Sequence, residues 1–283
     1  MAPCTWRFSF LPFISLLLSA LFLGGCPPSV GLPGAANVST ERMGGGSQII
    51  SFSESTPYAA VASFAGSHYA GTTQGLLQFD PHQEGAQVVK ALAGKGIRGI
   101  SAESTTGLWV ATAAGLHRLN KEEWTAFKLP ASLGGASSAM LATREGLWVG
   151  GTRGLGFRDK KGGWKTYLPG ARITYLLEDI QSGGVWAATD GEGIYHYEMG
   201  QFVAHALAKG QLLQRVRCLT YTPDGGVLAV GQSAQGERLT FFDGRFWNTY
   251  RALPEGVLSW VQMVGQDLYL GHGHGVFNLH RMM

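Results

Sequence analysis

Disulfide bonding is nearly excluded by this sequence. Its 283 residues hold three cysteines, Cys4, Cys26 and Cys218. The first two lie within or at the end of an apolar leader, which leaves Cys218 without a partner and rules out a disulfide framework. Cys218, in the run Val216-Arg217-Cys218-Leu219, reads as a small buried hydrophobe. Charge is scarce too: Asp, Glu, Lys and Arg make up 14% of the chain, against about 25% in an average soluble domain. The formal net charge of +3 is scattered, so the basic stripe that nucleic-acid binding needs is missing. There is no nucleophile elbow and no glycine-rich phosphate loop opening a helix. No catalytic set is read, and no cofactor is expected. An apolar content of 45% excludes a disordered chain.

Long apolar runs are limited to one, Phe8 to Leu23, which follows Arg7 and ends in Leu23-Gly24-Gly25-Cys26. A cationic start, an apolar core and small residues at its end mark residues 1–25 as a secretory signal. The run is at or below the ~17–25 residues that span a bilayer, which weighs against a transmembrane anchor. Leu-Gly-Gly-Cys resembles the lipobox of bacterial lipoproteins. That resemblance implies cleavage before Cys26 and lipid on its thiol, with ordinary cleavage as the alternative; Pro27 in place of Asp points by the same analogy to the outer membrane. Residues 26–47, rich in Pro, Gly, Ser and Ala and without period, read as a flexible tether.

What the sequence has in abundance is glycine, 42 residues, about twice the usual share and spaced as turn punctuation. The segment Leu177 to Tyr197 sets the pattern: an acidic turn, Gly, an apolar-Trp pair, small residues with Thr189, then Gly193 and an aromatic strand. Tyr69, Trp109, Trp148, Trp186, Leu228 and Tyr269 occupy one repeated position, at separations of 40, 39, 38, 42 and 41 residues. A period of about 40 residues built from short strands is that of propeller blades. Each repeat reads as four strands, and large residues at the repeated positions read as packing between adjacent sheets. A sugar-stacking site at Trp109, Trp148 and Trp186 is the alternative.

The sixth repeat runs out of chain before its outer strand, and Ile49 to Phe52 has the outer-strand pattern. The expectation is therefore an all-β, six-bladed β-propeller over residues 48–283, closed by its N-terminal strand, which would hide an otherwise open sheet edge.

The three middle repeats, Asp179 to Gly193 above all, with Leu108-Trp109-Val110-Ala111-Thr112 and Leu147-Trp148-Val149-Gly150-Gly151, resemble the two-component regulator propeller repeat. In that family such propellers form the periplasmic sensor part of hybrid histidine kinases. The resemblance implies the fold and a ligand- or protein-binding role; its repeat residues are structural, so it supplies no catalytic residue.

Several residues could carry chemistry. Arg98, Arg172, Tyr175, Arg215, Arg217 and Trp260 lie in or beside the inner strands, where a propeller opens its central channel. Arginines there would favour an anionic or carbohydrate ligand; solvated turn residues or packing between blades are the alternatives. His272 and His274 alternate on a strand and could ligate a metal with a third group, although His272 stands in the slot of Thr72, Thr112 and Thr189. Glu178, Asp179, Asp190 and Glu192 gather in one repeat; paired carboxylates could serve a glycosidase, while Asp at a turn bonds its own backbone. Together these point to a monomeric, non-catalytic binding or scaffold propeller, exported and lipid-anchored at the bacterial envelope, in the periplasm or at the outer membrane. Its partner would be an envelope protein or a small anionic or carbohydrate ligand. A propeller enzyme, lyase or glycoside hydrolase, and a detached sensor domain are the alternatives.

Overall fold

The computed structural model describes residues 6–9, 37–42, 48–53, 60–80, 85–103, 106–179, 181–205, 213–250, 257–264, 267–272 and 275–279. Cys26 and His274 lie outside them. From Ala60 onward the described chain is a run of antiparallel meanders, each pairing its strands in sequence order. We number the sheets one to six by their inner strands: Ala60–Phe64, Ile97–Glu103, Ala136–Ala142, Ile173–Glu178, Arg215–Tyr221 and Leu258–Val264. Sheets one to five have four strands and sheet six has three, ending in Gly275–Leu279. Among the described residues no helix is long and apolar enough to cross a membrane.

The repeated Thr is a turn device. The Thr72 hydroxyl donates to the Gly75 carbonyl at 2.9 Å and accepts the Gln74 amide at 3.1 Å. Thr112, Thr189 and Ser233 do the same in sheets two, four and five. All four are buried, so each hydroxyl satisfies backbone groups that would otherwise be stranded between strands. The glycine closing this turn is at φ 143° for Gly75 and 144° for Gly115, a conformation that side chains with a Cβ rarely adopt.

The core lies between sheets. Five apolar clusters each draw on two consecutive sheets: Leu76 and Leu92 meet Ile97 and Leu108, Trp109 meets Leu147, Trp148 meets Ile173, Trp186 meets Val216, and Leu228 meets Val261. Trp148 packs on Phe157 and Tyr167 of its own sheet, and on Tyr197 and Phe202 of sheet four at 5.3 and 5.7 Å between ring centroids. The repeated large residues are therefore wedges between sheets.

The N-terminal segments depart from expectation. Gln48–Ser53 does not complete sheet six. It is the centre of a separate three-stranded sheet, with Trp6–Ser9 on one edge and Asn37–Arg42 on the other. Asn37–Arg42, read as part of a tether, is thus a strand. Hairpin pairing across residues 43–47 closes a short loop, and loop-closure entropy favours that over pairing with a strand more than 200 residues away.

Candidate functional site

The inner strands share an irregularity that decides where the predicted arginines go. In sheets two, four, five and six the ladder to the second strand skips a residue between Ile97 and Gly99, Ile173 and Tyr175, Val216 and Cys218, and Leu258 and Trp260. The skipped residues include Arg98, Thr174 and Arg217. A bulge turns its extra side chain out of the alternating pattern, and each of these three reaches the next sheet. Arg98 Nη1 donates to the Ala136 carbonyl at 2.9 Å, Thr174 Oγ1 to Val216 at 2.5 Å, and Arg217 Nη1 to Leu258 at 3.0 Å. Arg217 is also held by both carboxylate oxygens of Glu237, at 2.5 and 3.0 Å, and Glu237 accepts the Leu258 amide. Arg98 and Arg217 therefore clamp adjacent sheets.

Tyr175 and Trp260 pack into the apolar layer between sheets five and their neighbours. The Trp260 indole lies against the backbone of Gly271, where a Cβ would collide with it. Burial, then the neighbouring Cys218, pushes the Tyr175 phenol well above its usual range. Burial likewise raises the Cys218 thiol to about 11, and its Sγ donates to the Val261 carbonyl at 3.4 Å. Cys218 is the small buried hydrophobe expected of it.

Arg172 and Arg215 behave differently. Asp190, on the turn after the second strand of sheet four, joins them: Arg215 Nε is 2.9 Å from Oδ1 and Arg172 Nη1 is 3.8 Å from Oδ2. The backbone fixes the carboxylate between them, since the Asp190 amide donates to the Arg172 carbonyl at 2.9 Å and Asp190 bridges Arg215 across the sheets. Both arginine side chains are 63% exposed. Two guanidinium groups against one carboxylate leave one positive charge at the seam of sheets four and five, with most donors facing water. Of the six predicted residues, the structure brings these two together and assigns the other four to packing and clamping.

The four acidic residues of the same repeat do not converge. Asp179 and Asp190 sit at opposite ends of the ladder from Ile173–Thr189 to Glu178–Val185, about 17 Å apart at strand rise, beyond the roughly 5–9.5 Å of a glycosidase pair. Glu192 accepts the Tyr195 hydroxyl at 3.0 Å. Asp179 caps its turn through the Gln181 amide and Ser182 hydroxyl. It also receives the Tyr221 hydroxyl of sheet five at 3.3 Å and touches His196 Nε2 at 3.0 Å. Burial alone would raise the Asp179 carboxyl, but the bonds from Ser182 and Gln181 hold it below the usual range. His272 ends the strand Asp267–His272.

No family model fits the chain, and no curated protein matches it in sequence. Solved structures do match. The extracellular domain of the BT4673 signalling system of B. thetaiotaomicron superposes with a TM-score of 0.63 at 17% identity, over 78% of this chain and 32% of that one. The chain thus spans about a third of that domain. Virginiamycin B lyase from Staphylococcus aureus has a TM-score of 0.61 at 10% identity, over 79% of this chain and 84% of the lyase. YCF48 bound to D1 peptide has a TM-score of 0.59 at 14% identity, over 78% and 77%. These likenesses show the fold, a β-propeller such as those in extracellular domains of two-component systems, and they match the resemblance read in the repeats.

Proposed function

We propose that this chain is an exported, lipid-anchored binding propeller of the bacterial envelope, without catalytic activity, that takes an anionic or carbohydrate group, free or on a partner protein, at the Arg172–Asp190–Arg215 seam. The observation that carries this reading is the pair of exposed guanidiniums on one backbone-fixed carboxylate, Arg215 at 2.9 Å and Arg172 at 3.8 Å. Fixed planar donors that remain solvated are suited to phosphate, carboxylate or sugar hydroxyls. Two neighbours lend support: one is named as the extracellular domain of a one-component system and another as bound to a peptide. The likeness to sensor domains also favours a second reading, in which the chain passes a ligand signal to a separate kinase.

Six sheets make the wheel in this reading. Export would remove residues 1–25, and with them Trp6–Ser9, which occupies one edge of Gln48–Ser53. The freed edge then matches the edge of Gly275–Leu279 that has no partner strand among the described residues, and pairing the two would close the ring. Lipid on Cys26 would hold the wheel at the membrane.

A pull-down from envelope extract, run with the membrane-bound protein, tests the binding face. Arg172→Ala/Arg215→Ala should lose the captured partner or glycan while keeping the fold, because both side chains are largely exposed and the bridge between Asp190 and Arg215 is made by the backbone. Undiminished capture contradicts the assignment. In the same cells Cys26→Ala should abolish palmitate labelling and membrane retention, and persistent labelling rejects the anchor.

A further inference from the structure

Away from the arginine seam, sheet four carries a cluster that the binding reading does not use, and in which His205 takes the place of the outer-strand aromatics Phe127, Tyr167 and Tyr250. His196 and Glu198 are two residues apart on Ile194–Glu198 and share a face. His205, on the adjacent Gln201–His205, pairs with Ile194 and lies on that face too. The face looks toward sheet five, where Phe242 lies 5.1 Å from the His205 ring. His196 Nδ1 is 2.7 Å from Glu198 Oε1, His205 Nε2 is 3.7 Å from the same oxygen, and the three ligand atoms lie within 4.8 Å of one another.

The other side of His196 settles what its Nδ1 needs. Its Nε2 meets Asp179, which already accepts from the Gln181 amide and the Ser182 and Tyr221 hydroxyls. An acceptor-only carboxylate takes the ring proton on Nε2. That leaves the Nδ1 lone pair aimed at a second carboxylate oxygen, a contact that requires a cation between the two atoms. A proton would satisfy His196 and Glu198 alone, while His205, which stands where Phe127, Tyr167 and Tyr250 stand in the other sheets, puts a ligating nitrogen instead of an apolar ring beside them. A metal ion uses all three.

We propose that His196, Glu198 and His205 form a binding site for a divalent transition-metal ion, zinc by its preference for imidazole and carboxylate. Zinc bonds of about 2.0–2.2 Å place tetrahedral ligands about 3.3 Å apart, so rotation of the Glu198 side chain, 43% exposed, and of the His205 ring is needed to bring the three atoms, now within 4.8 Å, onto one ion. Asp179 is the outer carboxylate that fixes the tautomer and direction of a ligating imidazole. Trp186 supports the rings, stacked on His196 at 4.1 Å and edge-on to His205 at 4.7 Å. The fourth position is left to water or to a side chain from a partner. Histidine and glutamate stand at different places in the other repeats, so the site belongs to this blade alone among the described residues.

The test uses the untagged full chain, stripped with chelator and titrated with Zn2+ and, for the visible d–d bands of a low-symmetry site, with Co2+. One saturable ion per chain is expected. His205→Ala and Glu198→Gln should each remove the Co2+ bands and the saturable Zn2+, whereas Asp179→Asn should weaken binding about 10- to 100-fold and His272→Ala should change nothing. His196 is buried and is left intact. Should His205→Ala lose its near-ultraviolet circular dichroism, Glu198→Gln decides by itself. Absence of saturable binding, or binding that survives Glu198→Gln, overturns the proposal.

Discussion

Replacing Trp148 by alanine is expected to cost about 3–5 kcal/mol of unfolding free energy, the range for deleting a large core aromatic. Trp148 is 5% exposed and meets rings from two sheets, Phe157 and Tyr167 on one side of the wedge and Tyr197 and Phe202 on the other. A sheet in this fold has no core of its own, so the indole is a main term in holding sheets three and four together. Denaturant unfolding of the variant measures the loss. Phe246→Ala, at a position 70% exposed, is the control and should change stability by no more than about 0.5 kcal/mol. A Trp148→Ala loss below about 1 kcal/mol would mean that sheets three and four do not meet at this residue.

Restoring the repeat at Gly151 is expected to destabilise the protein. Threonine stands in this slot at 72, 112 and 189 and caps the turn each time. Substitution toward a repeat consensus commonly stabilises by about 0.5–2 kcal/mol. In sheet three the space is taken. A Cβ on Gly151 would collide with the Leu133 carbonyl, and would lie 2.8 Å from the Leu133 Cβ and 2.9 Å from the Gly154 carbonyl. Leu133 is fully buried at the end of the short 3-10 turn Ala131–Leu133, and its carbonyl accepts the Arg153 amide at 3.0 Å. Two of the obstacles are backbone and cannot swing aside, so Gly151→Thr should lose about 1–3 kcal/mol. A thermal melt reads the sign directly, and a higher melting temperature contradicts the packing at this turn.

Strand order and wedge residues were legible in the sequence because their signals are local and repeated. The apolar-Trp pair and the Gly turn recur every ~40 residues, and the strands from Ile97–Glu103 to Gly275–Leu279 fall where that period puts them. Channel-mouth residues were less legible. Arg98, Thr174 and Arg217 each follow the first apolar residue of their inner strands, Ile97, Ile173 and Val216, and that shared place was the available sign of a clamp. The bulge that re-aims them is a property of two paired strands, which a single-strand pattern does not contain. The joining of Arg172 and Arg215 by Asp190 depends on two sheets meeting. His196, Glu198 and His205 were hidden for the same reason: they come from two strands whose register decides which side chains face each other. Asp179 was read correctly as a turn cap, but its second duty, holding His196 and Tyr221, spans sheets four and five.

The proposed closure of the ring rests on the fate of Gln48–Ser53 when residues 1–25 are removed. Amide hydrogen exchange on a chain that starts at Cys26, with and without residues 48–53, tests this directly. The account predicts slow exchange in Gly275–Leu279 in the chain that starts at Cys26, lost on deletion of residues 48–53, while Trp164–Tyr167 of sheet three stays as protected as before. Equal exchange in Gly275–Leu279 with and without residues 48–53 would show that the last sheet stands unassisted and that the ring is not closed by its leading strand.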